Sequence, residues 1–409
     1  MQLAHLLSAL WRNRTGPLLI AVQIAIALTV LVNVASIVIV RFDTYFRPTG
    51  IDLPNIFWVS SQGIGADYHH EAVVKADLAY LNSLPAVVAA AASMSLPQTY
   101  SGFVLPFSAS AGDKAPKEAG SIMLMSSGGL DALGVRLIAG RAPSAQAVSP
   151  ASAGAVDALA RWAPEVAITR ALATKVFPKG DALGQTLYAG LINKSSKVVG
   201  IVDLMETAPV MGPWSSFAQQ VVFVPAIPPG PMALYLIRTK PGRRAEVMAQ
   251  VEKKLGDSEP TRFIERMETL EKTAFNTRNW IRSSSIILGF VALLVLGVTA
   301  VGIFGLAAFT VTTRTKQIGT RRAIGARRAQ ILKYFLLENW LITTAGVAVG
   351  CLLALAVGLQ LTRMFQTPRL PLYDLVGGIV FLWALGLCAV LFPARRAAAI
   401  SPAIATRTV

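Results

Sequence analysis

The side chains with the most evident chemistry in this 409-residue chain are few. His69, His70 and Glu71 stand side by side, a donor set that a divalent metal could use. Successive residues of a helix point in different directions, however, and structural zinc needs four convergent ligands. The remaining histidine, His5, lies beyond a long apolar run, so no metal site is expected. Cys351 and Cys388 both sit inside apolar stretches and read as small packed hydrophobes, not as a disulfide pair. The phosphate-cradling pattern G-x-x-x-x-G-K-[ST] is absent, as are G-x-S-x-G and H-E-x-x-H. No catalytic residue and no cofactor-binding residue is therefore expected, and the chain is not expected to hydrolyse ATP. What remains is a concentration of arginine and glycine from Arg314 to Glu338, reading RTKQIGTRRAIGARRAQILKYFLLE.

The elements that hold those residues must suit lipid. Charged residues make up 15% of the chain, against about a quarter in soluble domains, and hydrophobic residues 54%. A helix crosses a bilayer core with about 20 apolar residues. Four segments meet that need: 17–40, 283–311, 335–361 and 372–392. The first is longer than a signal-peptide core and no small-x-small cleavage site precedes Arg41, so it is expected to be retained. Ahead of it, Leu3, Leu6, Leu7, Leu10 and Trp11 recur at helical spacing, either as an interfacial helix over 1–16 or as an extension of the span.

The net charge of +16 could suggest nucleic acid, but its placement gives it a topological meaning. Arg12 and Arg14 precede the first span. Arg314, Lys316, Arg321, Arg322, Arg327, Arg328 and Lys333 lie between the second and third, and Arg395, Arg396 and Arg407 follow the fourth. The connection 362–371 holds only Arg363 and Arg369. Both termini and the loop 312–334 are thus expected on the cytoplasmic side, with 41–282 outside; no nucleic-acid partner is expected. The spans lack charge at mid-depth, which disfavours proton-coupled transport. Gly346 and Gly350 form G-x-x-x-G, and Gly302 and Gly305 crowd the end of the second span, so close helix packing is expected within one chain or between two.

The middle region is long enough to fold in water. Strand-like runs occur at Asn55–Ser60, Ser121–Met125, Val166–Thr169, Lys197–Leu204, Gln220–Val224 and Met232–Arg238. Helical patterns occur at Glu71–Leu84, Arg170–Phe177 and Arg243–Leu255, the last placed as in a β-α-β element. Residues 143–160, rich in Ala, Ser and Pro, are expected to form a mobile loop, and 267–282 a stalk helix continuous with the second span. The expected fold class is an α-helical membrane protein with four transmembrane helices and a large α+β extracytoplasmic domain inserted between helices 1 and 2.

The 314–338 segment resembles the R-x-x-E-I-G-x-x-x-A-x-G-A signature of the MacB/FtsX superfamily of ABC permeases, the mechanotransmission type. LGVRLIAGR at Leu133–Arg141, VAITRALATKVFP at Val166–Pro178, DALGQTL at Asp181–Leu187 and VVGIV at Val198–Val202 follow that family's periplasmic core domain in order, and PARRAAAISP at Pro393–Pro402 resembles its closing motif. Gln317 stands where the signature has Glu, and Thr320 where an aliphatic residue is common. The resemblance implies a MacB-like core domain over 41–266, a coupling loop over 312–334 and a cytoplasmic tail over 393–409. It implies a separate ATPase subunit pair that holds ATP and Mg, a second permease as homodimer or paralogous heterodimer, an adaptor or lipoprotein partner, and contact with membrane lipid. Transmission of the ATPase's motion then falls to Gln317, Ile318, Gly319, Arg321, Arg322, Ala323, Gly325 and Ala326, on a helix of about 15 residues whose Gly319, Ala323 and Ala326 share one small-residue face. The alternative within the same resemblance is an FtsX-like regulator that activates an envelope hydrolase and transports nothing.

Overall fold

The computed structural model describes residues 15–65, 67–112, 116–144, 162–178, 180–208, 217–365 and 369–399. The expected interfacial helix and the loop over 143–160 lie, but for their edges, outside these residues. In chain order the elements begin with α1 (Thr15–Phe46), β1 (Ile56–Gly63), α2 (His70–Ser83), β2 (Val87–Ser93), β3 (Phe103–Ser108) and β4 (Glu118–Met125). There follow α3 (Gly129–Leu133), β5 (Leu137–Gly140), β6 (Glu165–Thr169), α4 (Arg170–Val176), β7 (Thr186–Ala189) and β8 (Lys194–Val202). The chain continues through β9 (Val221–Pro225), β10 (Met232–Thr239), α5 (Arg244–Ser258) and β11 (Arg262–Thr269). It closes with α6 (Leu270–Thr313), α7 (Thr315–Ala323), α8 (Arg328–Phe365) and α9 (Leu372–Ala398). Contacts divide the chain into two units, Thr44–Ile281 and the remainder.

The Thr44–Ile281 unit is built in two halves. Strands β11, β1, β10 and β2 lie side by side, each antiparallel to its neighbour, with α2 following β1 and α5 following β10. This is the β-α-β-β-α-β split arrangement, interrupted between β2 and β10. Alternation sorts its side chains: Phe57, Val59, Tyr235 and Ile237 pack with Val74 and Leu81 of α2 and Val247, Val251 and Leu255 of α5. Ile56, Trp58, Leu234 and Leu236 face the other way, against Leu130 and Leu133 of α3. The interruption forms the second half. Strands β4, β3, β7, β8, β6 and β9 pair in succession, and β4 pairs with β9 in parallel, so the ladder closes into a ring with β5 beside β8. Leu172, Ala173 and Val176 of α4 pack into its core with Phe107, Ile122, Ile168, Val198 and Val222.

Several elements differ from the sequence expectation. Met267, Glu268 and Thr269 end β11 instead of starting a stalk helix, because they pair with Val59, Trp58 and Phe57 of β1; the helix begins at Leu270 and then runs unbroken into the apolar span. The alanine run of β2 adopts strand structure because it lies between β10 and the α2 and α3 layers, where only small side chains fit. β3 carries Pro106 within it, and β11 reads as charged because it lies at the edge of the path. The helix that carries the third apolar segment starts at Arg328, and the segment expected as a 15-residue helix is broken in two.

In the other unit, the four long apolar helices α1, α6, α8 and α9 are the candidate spans. Gly346 and Gly350 of α8 seat α1: a Cβ at Gly346 would lie 2.7 Å from the Ala21 carbonyl, and one at Gly350 3.0 Å from the Ala25 Cα. Thus the G-x-x-x-G seam is intramolecular. Gly302 packs against Gln23 of α1, whose amide donates to the Val298 carbonyl at 2.9 Å, whereas Gly305 has open space beside it and takes no part in packing among the described residues. Asn33 donates to the Ala354 carbonyl at 3.2 Å, a second polar tie between α1 and α8.

A buried ion pair lies between α2 and β11 in the Thr44–Ile281 unit. Arg262 is fully buried and forks onto Asp77, which also accepts from Tyr235 at 2.5 Å; the guanidinium further donates to the Leu255 carbonyl at 2.9 Å. Removing one partner strands the other charge. The variant Asp77→Ala is expected to lose about 3–5 kcal/mol, a fall in melting temperature of roughly 6–20 °C for a unit of this size. Part of that loss should return in the Asp77→Ala, Arg262→Met double variant. Thermal melts of purified protein check this, and equal melting points for the single variant and the parent would contradict it.

Candidate functional site

The basic segment begins where α6 ends. Arg314 leaves helical geometry, with ψ near 11°, and caps α7. Its guanidinium pairs with Glu338 of α8 at 3.0 Å and reaches the Tyr334 hydroxyl at 3.5 Å. Glu338 is buried, and a carboxylate beside an apolar helix requires such a partner. Tyr334 takes the Arg321 guanidinium over its ring at 5.3 Å. On the inner side of α7, Ile318 and Gly319 are buried, and Arg322 donates to the Ala398 carbonyl at 3.3 Å, one of the orphan acceptors at the end of α9. α7 is therefore joined covalently to α6 and by side chains to α8 and α9.

The end of α7 is a Schellman turn. Gly325 has φ +104°, its N–H donates to Arg322 at 3.2 Å, and the Ala326 N–H donates to Arg321 at 3.0 Å. The residue whose cost in a helix interior would be about 1 kcal/mol thus stands at the one position where glycine is favoured. Beyond it, the Gln330 side chain accepts from the Arg327 N–H at 2.9 Å, as in half of a capping box, and starts α8.

These turns separate the expected residues. Ala326 lies past the break and is off their face; Gly319 and Ala323, four apart on α7, remain neighbours, but Gly319 is buried and Ala323 exposed. The outward stripe of α7 is instead Lys316, Gln317, Thr320 and Arg321, continued by Ile324, which is 83% exposed at the tip of the turn. Sequence reasoning missed Ile324 as a knob and Tyr334 and Glu338 as anchors. A lone acid placed within the apolar segment 335–361 was the available signal for Glu338. A cavity of about 260 Å³ adjoins the ion pair, lined by Pro17, Leu306, Phe335, Asn339 and Val390 among others. No cluster of three metal-binding side chains exists among the described residues, and both cysteines are free.

Comparison with known proteins follows the two units. Residues 20–254 match the MacB-like periplasmic core domain, and 289–402 match the FtsX-like permease C-terminal region. The chain is 27% identical over 254 residues to the uncharacterized ABC transporter permease YvrN of Bacillus subtilis, covering 59% of this chain and 61% of that one. It is 28% identical over 260 residues to the macrolide export ATP-binding/permease protein MacB of Marinobacter nauticus, covering 59% of this chain and 38% of that one. The alignments thus span less than two thirds of either relative. The periplasmic region of MacB from Actinobacillus actinomycetemcomitans aligns with 56% of this chain and 95% of its own length, at 11% identity and a TM-score of 0.35.

Replacing Gly325 by alanine places a Cβ in left-handed backbone, at a cost of about 1–2 kcal/mol. The expected result is amide exchange at residues 324–327 roughly tenfold faster, with α1 and α9 unchanged. Unaltered exchange there would show that the turn does not depend on glycine.

Proposed function

Because the chain belongs to the family of FtsX-like permeases that carry a MacB-like periplasmic core domain, we propose that it is the permease subunit of an ATP-driven transporter, in which α7 and the Gly325 turn receive the motion of an ATPase subunit pair. The observation that carries this reading is the two-sidedness of α7. Its outer face offers Lys316 and the exposed Ile324, a basic group beside an apolar knob suited to an acidic-edged pocket, while Arg321 rests over Tyr334 of α8 and Arg322 ties the inner face to α9. A push on that face reaches three spans at once. Gln317 lies on the outer stripe, where a neutral amide replaces the carboxylate of the family signature.

On this reading ATP and Mg are bound outside residues 1–409, since no phosphate-cradling loop occurs within them. Both termini and α7 lie on the cytoplasmic side, because the basic residues concentrate there. The Thr44–Ile281 unit, on the far side, moves a cargo at the cell envelope, by export or extraction, with an adaptor or lipoprotein as outer partner. A second permease completes the assembly. In its support, only 11% of the most apolar window of α6 is buried within the chain, against 28–39% for the other three candidate spans, which leaves that helix free for a neighbour.

Two measurements test the proposal. The purified chain alone is expected to show no ATP hydrolysis. Ile324→Asp, which changes a side chain that packs against little, is expected to fold and insert normally yet to reduce the co-purifying ATPase and its turnover at least tenfold. An Ile324→Asp protein that retained its ATPase at full turnover would remove α7 as the receiving surface.

A further inference from the structure

Glu206 lies in the ring half of the Thr44–Ile281 unit, four residues past the end of β8, and its side chain is fully buried. It accepts from Arg47 at 3.3 Å and from Arg278 at 2.8 Å. Those two arginines come from the two ends of this unit: Arg47 follows α1 by one residue, and Arg278 lies on α6 three residues before Ile281. One carboxylate therefore holds the chain where it comes in, the chain where it goes out, and the ring. We propose that Glu206 is a latch between the ring half and the two chain passages, with Arg278 as its releasable jaw.

The two jaws differ in how they are held. On the inbound side the backbone itself is engaged. The Glu206 N–H donates to the Thr49 carbonyl at 2.8 Å, and Gly50, at φ +74°, lies so near the Leu204 carbonyl that a Cβ would overlap it. Behind this contact Gln98 is fully buried at φ +65°, with its backbone N–H on the Thr207 carbonyl and its amide on the Glu206 carbonyl, both at 2.5 Å. A non-glycine residue keeps such a backbone only where its surroundings over-determine it, and residues of this kind gather at switch regions. This jaw is fixed. On the outbound side Arg278 reaches Glu206 through its guanidinium, and its Nε is buried without a partner among the described residues. Burial pushes the Glu206 carboxyl up to about 6 in spite of both guanidiniums, so the ionised group is held less comfortably here than in water. Leu270 at the start of α6 packs with Val202 and Met205, but farther along, at Arg278, the tie to Glu206 is a charge-assisted side-chain bond that can break without unpairing any backbone.

The latch is independent of any ATPase, and its test uses the full chain in nanodiscs. Spin labels at Ser83, at the exposed end of α2, and at Leu191, 72% exposed beside β7, report on the two halves in a Cys351→Ser, Cys388→Ser background. Arg278→Met keeps Glu206 paired with Arg47 and should lower melting less than Asp77→Ala does. It is expected to add a second, displaced distance population and to speed amide exchange at residues 204–208 and 275–281 at least tenfold. Glu206→Gln should do the same more strongly. Charge-conserving Arg278→Lys should restore most of the single population. A melting loss without a second population, or exchange that rises evenly through the unit, would reduce the triad to ordinary packing and overturn the proposal, as would an unchanged distance distribution in Arg278→Met.

Discussion

A peptide group in hydrocarbon has no hydrogen-bond partner except another peptide group or a side chain brought to it, and this governs where the membrane unit can bend. α6 runs from Leu270 to Thr313 without a break, and α8 from Arg328 to Phe365. Between them the backbone changes direction, and there freed groups find partners: the Gly325 and Ala326 amides on the last carbonyls of α7, and Gln330 on the Arg327 amide, while Arg322 serves the Ala398 carbonyl at the end of α9. The side chains that serve this bend, Arg322 and Gln330, are distinct from Lys316 and Arg321, which give α7 its basic outer face.

Ties between helices obey the same requirement. Gln23 and Asn33 of α1 reach backbone carbonyls of α6 and α8, which a neutral amide can do without carrying a charge into lipid. At the bend charge enters as a pair, Arg314 with Glu338. The Thr44–Ile281 unit follows a like rule: Arg262 and Asp77 are buried, and the guanidinium donates to Asp77, the Leu255 carbonyl and Ser258.

Much of this was legible in sequence because the signals were one-dimensional. Apolar runs fixed the four spans, and alternation marked β1, β8, β9 and β10. What escaped depended on neighbours distant in the chain. The alanines of β2 favour helix by themselves and become a strand only when β10, encoded 140 residues later, lies beside them. β11 reads as a polar helix start because its charged side chains belong to an edge. At the candidate site the glycines were recognised as unusual, but helical spacing alone placed Gly319, Ala323 and Ala326 on one face. Whether Gly325 continues a helix or ends it is decided by the sign of φ, which the residue type permits without choosing. Gly302 and Gly305 illustrate the same limit: identical residues three apart, one against Gln23 and one against open space.

The insertion of the ring between β2 and β10 also bears on how the Thr44–Ile281 unit acquires its structure. Strand β1 finds both of its partners, β10 and β11, only after the whole ring has been made, since Trp58 pairs with Leu236 and Glu268. Contacts of such high sequence order are slow to form, and until they do β1 and β2 present unpaired edges. The ring carries no such debt, for its ladder closes on itself among segments that lie nearer in the chain. Assembly is thus expected to run from the inside of the sequence outward, with the ring acting as the staple that brings β2 and β10 into register. The strands that connect directly to the membrane helices would be the last to be locked.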